Sequence, residues 1–475
     1  VNNTSDLYRQ LITSLSFEPT VNQEQALQEI AEFVLHANAA SVYLLKGYAG
    51  TGKTSIMKSL VSALPQVGYS TFLIAPTGRA SKVLSTYTGQ IAYTIHKKIY
   101  RRKNLADGLS RFVLSENKHS NCLFIVDEAS MIPGFSMSEN ELFSSNSLLD
   151  DLMQYLQNGV NCKMLLIGDA AQLPPVGQAI SPAMDEAFIN GRYGNFYKSI
   201  ELTKVLRQEA ESGILRNATY LRQKLALDSF IYPFFKDEKK ADFIRVEGSE
   251  MQETLENAIN QYGLHNCVII TRSNKAANQY NMSIRHQILW QETAIDAGDL
   301  MMVVKNNYHW VQENNPLGFI ANGDIIEIRK IVRTQELYGF QFADALIGFI
   351  DYPGEPEIEV KLLLNTIQSE TPALNREESM SLYKAVEEDY QDIKTKKERS
   401  IKLKQDPYLN ALQVKFAYAV TCHKAQGGQW DVVFVDQGYI KDEMIDRTYI
   451  RWLYTALTRA VKKLYLINFH EKMFS

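Results

Sequence analysis

The stretch "GYAGTGKT", residues 47 to 54, constrains this chain more than any other. It follows the β-prone run "VYLLK" and precedes the helical pattern "SIMKSLVSAL". A G-x-x-x-x-G-K-T loop in that setting turns a strand directly into a helix, with glycines where backbone N–H groups wrap phosphates and a helix N-terminus that adds its dipole. Such a unit belongs in a parallel α/β sheet. Gly47, Tyr48, Ala49, Gly50, Thr51, Gly52, Lys53, Thr54 and Ser55 are therefore candidates for holding a nucleotide, with Lys53 on the terminal phosphates and Thr54 on Mg²⁺.

The rest of the chain repeats the rhythm. "VYLLKG" (42–47), "STFLIAP" (70–76), "CLFIVDE" (122–128) and "CKMLLIGD" (162–169) read as strands, each followed by a turn and a helical pattern. A second set, "NCVIITR" (266–272), "YAVTC" (418–422), "DVVFVD" (431–436) and "KLYLINF" (463–469), predicts a second domain of the same class. The expected division is a first domain over 1–200, a helical connection over 201–240 and a second domain over 241–475. Two segments interrupt it. The basic and aromatic stretch 95–121 predicts a small hairpin on the first domain, and 331–412 predicts an inserted β-rich unit with a solvated helical arm.

Composition sets limits on partners. A net charge of −4, with 45% hydrophobic and 22% charged residues, describes a folded chain and not a polycation, so any nucleic-acid contact must come from local basic patches. Cys122, Cys162, Cys267 and Cys422 are scattered without a C-x-x-C pair, which argues against zinc and disulfides and for a reduced, cytoplasmic setting. No apolar run reaches membrane length, so no membrane partner is expected.

Chemistry gathers around the phosphate loop. In "LFIVDEAS" (123–130), Asp127 ends a strand where it can hold Mg²⁺ through water, and Glu128 beside it can act as general base. "LLIGDAAQLPPVG" (165–177) places Asp169 and Gln172 on the turn after another strand; Gln172 either senses the γ-phosphate or stiffens a proline loop. Arg459 in "YTALTRA" and Arg207 in "ELTKVLRQ" are candidates to neutralise charge at the γ-phosphate, a contribution of about 10³ to 10⁵ in nucleotide hydrolases.

Taken in order, "TVNQEQ", the phosphate loop, "APTGRASKVL", "TIHK", "VDEASM", "GDAAQLPPVG", "LTKVLRQ", "TRSNKAAN", "GDLMMVVKNNY", "NGD", "VTCHKAQGGQWD" and "YTALTRA" resemble the superfamily 1 DNA helicases of the RecD-like and phage Dda-like group. The resemblance covers nearly the full chain. It implies two RecA-like domains with ATP and Mg²⁺ between them, a strand-separating pin in 95–121, an SH3-like barrel and arm in 331–412, and 5′ to 3′ movement. It also implies action as a monomer on single-stranded DNA and single-strand/duplex junctions, with a single-strand-binding protein as a further partner. Gln25 would recognise adenine, Gln426 and Gly427 would face the nucleotide, and Thr421, His423 and Lys424 would grip DNA phosphates.

A single-strand track needs cations and flat faces. Pro76, Thr77 and Arg79 lie on one strand-end turn, and His96, Lys97, Lys98, Tyr100, Arg101 and Arg102 form a basic and aromatic cluster, with a structural role for Tyr100 as the alternative. On the second domain the candidates are Thr271, Asn274, Lys305, Asn306 and Asn307, the last two alternatively turn caps. Two other functions fit parts of the pattern. A DNA-stimulated translocase or remodeller would lack strand separation, and a GTP switch is disfavoured because "SNKAAN" lacks the acid of N-K-x-D.

Overall fold

The computed structural model describes residues 3–104, 110–134, 147–204, 212–227, 233–235, 241–311, 319–350, 352 and 354–474. In the first half the strands are β1 (Val42–Gly47), β2 (Ser70–Ala75), β3 (Ala92–Thr94), β4 (Tyr100–Asn104), β5 (Ser110–Leu114), β6 (Ser120–Val126), β7 (Val160–Gly168) and β8 (Phe196–Leu202). Six of them form one sheet in the order β3-β2-β6-β7-β1-β8, with every pairing parallel. β4 and β5 pair separately as an antiparallel hairpin within the expected 95–121 insertion.

Residue alternation explains why this sheet is covered on both faces. On β1, Tyr43 and Leu45 pack with Leu27, Ile30, Leu60 and Ile167 on one side. Val42 and Leu44 pack with Phe124, Leu152, Met164 and Leu166 on the other. Each such side chain contributes about 1.5–3 kcal/mol by leaving water, so the sheet serves as a rigid platform for the loops at its edge.

The second half supplies β9 (Phe243–Val246), β10 (Cys267–Thr271), β11 (Leu300–Val303), β12 (Ile325–Leu337), β13 (Phe340–Phe349), β14 (Ile358–Leu363), β15 (Leu412–Phe416), β16 (Ala419–Thr421), β17 (Trp430–Asp436) and β18 (Ala460–Ile467). A second all-parallel sheet runs β16-β10-β17-β18-β9. Between its strands β11 to β15 close into a barrel.

The barrel corrects the expected 331–412 boundary. It begins at Leu300 and ends at Phe416, because β11 pairs with both β12 and β15 and seals the edge between them. "GDLMMVVKNNY" thus belongs to the barrel and not to the α/β domain. The charged arm is present as the helices Arg376–Glu388 and Lys396–Gln405, whose Leu382, Val386 and Leu403 pack on Phe340 and Phe342 of the β12–β13 hairpin. The helix Gly213–Leu225, in the connecting segment, contacts the helix Arg447–Leu457 of the second domain. Among the described residues, no helix is long and apolar enough to cross a membrane.

Candidate active site

β6, β7 and β1 are consecutive neighbours, so their C-terminal ends bring Asp127, Asp169 and the phosphate loop to one edge. In that loop Gly50 and Gly52 have φ of +77° and +84°, a left-handed backbone that glycine adopts without strain. A Cβ on Gly47 would stand 2.9 Å from Thr51 Oγ1, so close packing excludes a side chain there. Lys53 opens the helix Lys53–Ala63, and its ammonium donates to the carbonyls of Gly47 (2.6 Å) and Tyr48 (2.7 Å), which keeps the charge inside the loop. Thr54 and Ser55 follow, half-buried in the helix's first turn.

Gln23 touches this loop; Gln25 does not. Gln23 is buried, closes a capping box with Thr20, and donates from Nε2 to the Thr51 carbonyl at 2.9 Å. Gln25 is exposed and donates to Glu29 (3.0 Å), a carboxylate shared with Tyr43 and Lys198. The Thr-x-x-Gln spacing at the helix start was the signal for Gln23.

At the end of β6 the Asp127 carboxylate accepts from the Glu128 N–H at 2.9 Å. Burial and the adjoining Glu128 carboxylate push its pKa up to about 7, against the pull of Lys53 and Arg459. Glu128 has φ +51°, a conformation that costs a non-glycine residue on the order of 1–3 kcal/mol and that recurs where a side chain is aimed for chemistry. Arg459 comes from the second domain to within 3.8 Å of Glu128 Oε1, a charge contact too long for a hydrogen bond. Its buried guanidinium donates to the carbonyls of Thr455 (3.0 Å) and Gly428 (3.3 Å) and to Thr458 Oγ1 (3.1 Å), which fix its direction. Arg207 lies outside the described residues.

The loop after β7 plugs into the second domain. Ala171 and Leu173 pack among Val420, Trp430, Leu453 and Leu457. The Leu173 N–H donates to Thr455 Oγ1 (2.8 Å), and its carbonyl accepts from Gln426 Nε2 (2.6 Å). Gln426 therefore grips the loop that carries Gln172. Gln172 is itself buried, and its Oε1 has no hydrogen-bond partner among the described residues. An unpaired buried amide oxygen costs about 1–3 kcal/mol, so it marks a place where a donor would be welcome. Gly427, at φ +72°, lies so close to the first domain that a Cβ would meet Ala80 Cβ at 2.7 Å and Thr77 Oγ1 at 3.3 Å.

The nucleic-acid candidates divide into those facing outward and those spent on structure. Thr77 caps the helix Gly78–Thr88 beside the half-buried Pro76. Arg79 turns across the domain seam, stacking 3.9 Å from the Trp430 ring and donating to the Gln429 carbonyl. Burial pushes His96 down to about 4, so it is neutral at neutral pH and adds no charge to the cluster. Lys98 lies 3.3 Å over Phe72 and 3.0 Å from His119 Nε2, and Tyr100 donates to Asp151 (2.6 Å), because the foot of the hairpin is packed onto the sheet and the helix Leu148–Gln157. Lys97 is half-buried near Tyr93, while Arg101 is exposed on β4; the side chain of Arg102 lies outside the described residues.

On the second domain three of the candidates are engaged within the fold. Thr271 is fully buried, with its hydroxyl donating to the Ser273 carbonyl, so it has no face for a phosphate. Asn306 bonds Tyr308 and the Asn322 N–H, and Asn307 accepts from the N–H groups of His309 and Trp310; both fix the turn after β11. Lys305 is exposed.

Asn274, Thr421 and Lys424 converge with Lys415 on one depression of about 10 Å³, the size of a water. Burial and the neighbouring Lys415 push Lys424 down to about 8, and burial does the same to Lys415, whose ammonium donates to the Ser369 carbonyl. His423 lies exposed in the short helix Cys422–Ala425, and desolvation by the chain around it lowers its pKa. Lys415 was not anticipated, although a lone lysine inside the apolar run "LQVKF" was the available signal. Among the described residues no three His, Cys, Asp or Glu side chains gather as a metal site, and all four cysteines are buried and free.

Two protein families match parts of the chain. The AAA domain family matches residues 20–228, and the UvrD-like helicase C-terminal domain matches residues 416–467. An uncharacterized protein of Acanthamoeba polyphaga mimivirus is 22% identical over 521 residues, covering 93% of this chain and 98% of that protein. The ATP-dependent RecD2 DNA helicase of Deinococcus radiodurans is 28% identical over 45% of this chain and 27% of its own length. The ATP-dependent DNA helicase dda of Enterobacteria phage T4 is 26% identical over 60% of this chain and 62% of its own length. The chain thus spans less than two thirds of either named helicase.

Proposed function

This chain belongs to the superfamily 1 helicases of the RecD-like and Dda-like type, and we propose that it hydrolyses ATP between its two α/β domains to move 5′ to 3′ along single-stranded DNA and part a duplex. The observation that carries this reading is Arg459, delivered by the second domain to the carboxylate beside the first domain's phosphate loop. A site completed by two domains links hydrolysis to their relative motion.

In this reading Lys53 and the loop N–H groups hold the phosphates, Glu128 takes the proton of the attacking water, and Gln172 orients that water through its unpaired amide oxygen. Arg459 neutralises charge as it develops at the γ-phosphate. Thr54 and Asp127 would hold Mg²⁺, which supplies further neutralisation across the phosphates, and the upward shift of Asp127 fits a carboxylate placed to receive a cation. Gln23 supports the loop from behind.

Pro76, Thr77 and Arg101 on the first domain, and Asn274, Thr421, His423, Lys424 and Lys305 on the second, form the proposed track. Closure on ATP and reopening after hydrolysis let each side hold the strand in turn, while the β4–β5 hairpin meets the junction. DNA stacking averages about 1.4 kcal/mol per step, a load that one ATP per short advance meets.

The test is ATP-dependent strand separation on matched partial duplexes with a 5′ or a 3′ single-stranded tail. Opening of the 5′-tailed substrate alone is expected. Opening of the 3′-tailed one alone reverses the polarity, and DNA-stimulated hydrolysis without opening leaves a translocase or remodeller.

A further inference from the structure

Tyr454 is buried at the domain seam, and its hydroxyl makes two bonds into the first domain. It accepts from the Ala49 N–H of the phosphate loop at 3.0 Å and donates to Asp169 Oδ2 at 2.6 Å. Asp169 is also buried, and its other oxygen accepts from the Ala171 N–H at 2.9 Å. One hydroxyl of the second domain therefore joins the loop after β1 to the loop after β7. Only a group that donates and accepts at the tip of a long, rigid side chain makes this junction; phenylalanine lacks the hydroxyl, and serine and threonine lack the reach.

Tyr454 belongs to the stretch that carries Arg459. The next residue, Thr455, accepts from the Leu173 N–H, and its carbonyl accepts from Arg459 Nε. A continuous path of hydrogen bonds and backbone thus runs from Ala49 through Tyr454 and Thr455 to Arg459, and ends 3.8 Å from Glu128. One residue before Ala49, the Tyr48 ring carries the Arg222 guanidinium 4.2 Å above it, so the same turn of the phosphate loop is held from a second side. Parting the domains would break both bonds at once, so the junction holds only while the seam is closed.

We propose that Tyr454 is a positioning residue for hydrolysis: by tying the phosphate loop and the loop after β7 to one helix, it sets the distance at which Arg459 meets the nucleotide site. This rests on the ATPase reading above. It goes beyond that reading by giving the reach of the arginine to a neutral side chain that touches no phosphate.

The test is a double-mutant cycle in the full chain, with Tyr454→Phe, Arg459→Ala and both together. DNA-stimulated kcat, KM for ATP and the affinity for a non-hydrolysable ATP analogue are measured for each. Tyr454→Phe is expected to lower kcat by about tenfold or more, with KM and analogue affinity changed less than about threefold, the loss due to a buried hydrogen bond to a charged group. In the Arg459→Ala background the same change is expected to add almost nothing, because its effect passes through the arginine.

Unchanged kcat in Tyr454→Phe, or losses that multiply in the double variant, would overturn the proposal, as would a loss of analogue affinity equal to the loss of kcat. If a lowered thermal midpoint shows that Tyr454→Phe does not fold, Asp169→Asn in the same cycle decides by the same criteria. Absence of DNA-stimulated hydrolysis in the unsubstituted chain overturns the ATPase reading itself, whereas normal hydrolysis with a silent Tyr454→Phe overturns only this inference.

Discussion

The two α/β domains repeat one architecture and carry opposite equipment. In the first, the strand ends facing the seam bear a glycine loop after β1 and carboxylates after β6 and β7. In the second, β10 ends in "TRSNK" and β16 in "TCHKAQGG", which offer amides, amines and hydroxyls without a phosphate-wrapping turn. A parallel sheet exposes the same edge in both cases, but the residues placed there decide whether that edge holds a nucleotide or reads one. The difference separates binding from response, and it can be attacked one side at a time.

The largest expected effect tests the arginine's side of that division. Lys53→Ala should abolish measurable hydrolysis and weaken nucleotide binding, whereas Arg459→Ala should lower kcat by about 10³-fold or more and leave binding nearly intact. Steady-state turnover combined with equilibrium binding of a labelled nucleotide checks both. Equal loss of affinity in the two variants would erase the distinction between the domains.

A smaller effect sharpens the second domain's role. Lys424 is charged below a pKa of about 8, and it faces Lys415 on β15, Asn274 at the start of the helix Asn274–Ser283, and Thr421 at the end of β16. Raising pH from 7 to 9 removes its charge, so single-strand affinity at fixed salt should fall across that range. Lys424→Ala should reduce the pH profile to the part that Lys415, lowered to about 8 in the same depression, contributes, and make the salt dependence shallower by about 0.7 in slope. Fluorescence anisotropy with a labelled oligonucleotide measures both; a pH profile unaltered by the substitution would remove Lys424 from the track.

The smallest effect lies within the first domain. Gln23→Ala should raise KM for ATP by about fivefold, the value of one hydrogen bond of roughly 1 kcal/mol supporting the loop, and Gln25→Ala by less than about twofold. The reverse order would support the adenine contact expected of Gln25.

Legibility in the sequence followed burial. The central strands β1, β2, β6, β7, β10, β17 and β18 were visible as apolar runs because both faces of a parallel sheet are covered. β3, β8 and β9 escaped notice because edge strands are short or half-exposed and carry polar residues such as Lys198 and Arg245. The same contrast holds at the site. The chemistry proposed for Lys53, Glu128, Gln172 and Arg459 requires convergence, and the order of motifs along the chain signals it. The basic run 96–102 does not reveal which of its side chains turn inward. That depends on Phe72, His119 and Asp151, which lie far away in sequence. Tyr454 was hidden for a related reason, since its partners Ala49 and Asp169 lie 405 and 285 residues away.

The contact at Gly427 has a mechanical consequence. With only 2.7 Å between its missing Cβ position and Ala80, the seam is already at backbone thickness there and cannot be squeezed further. In the proposed cycle, a movement that narrows the cleft at the phosphate loop would swing about this point, with Gly427 and Gly428 as the fulcrum of a lever whose long arm would end on the proposed track.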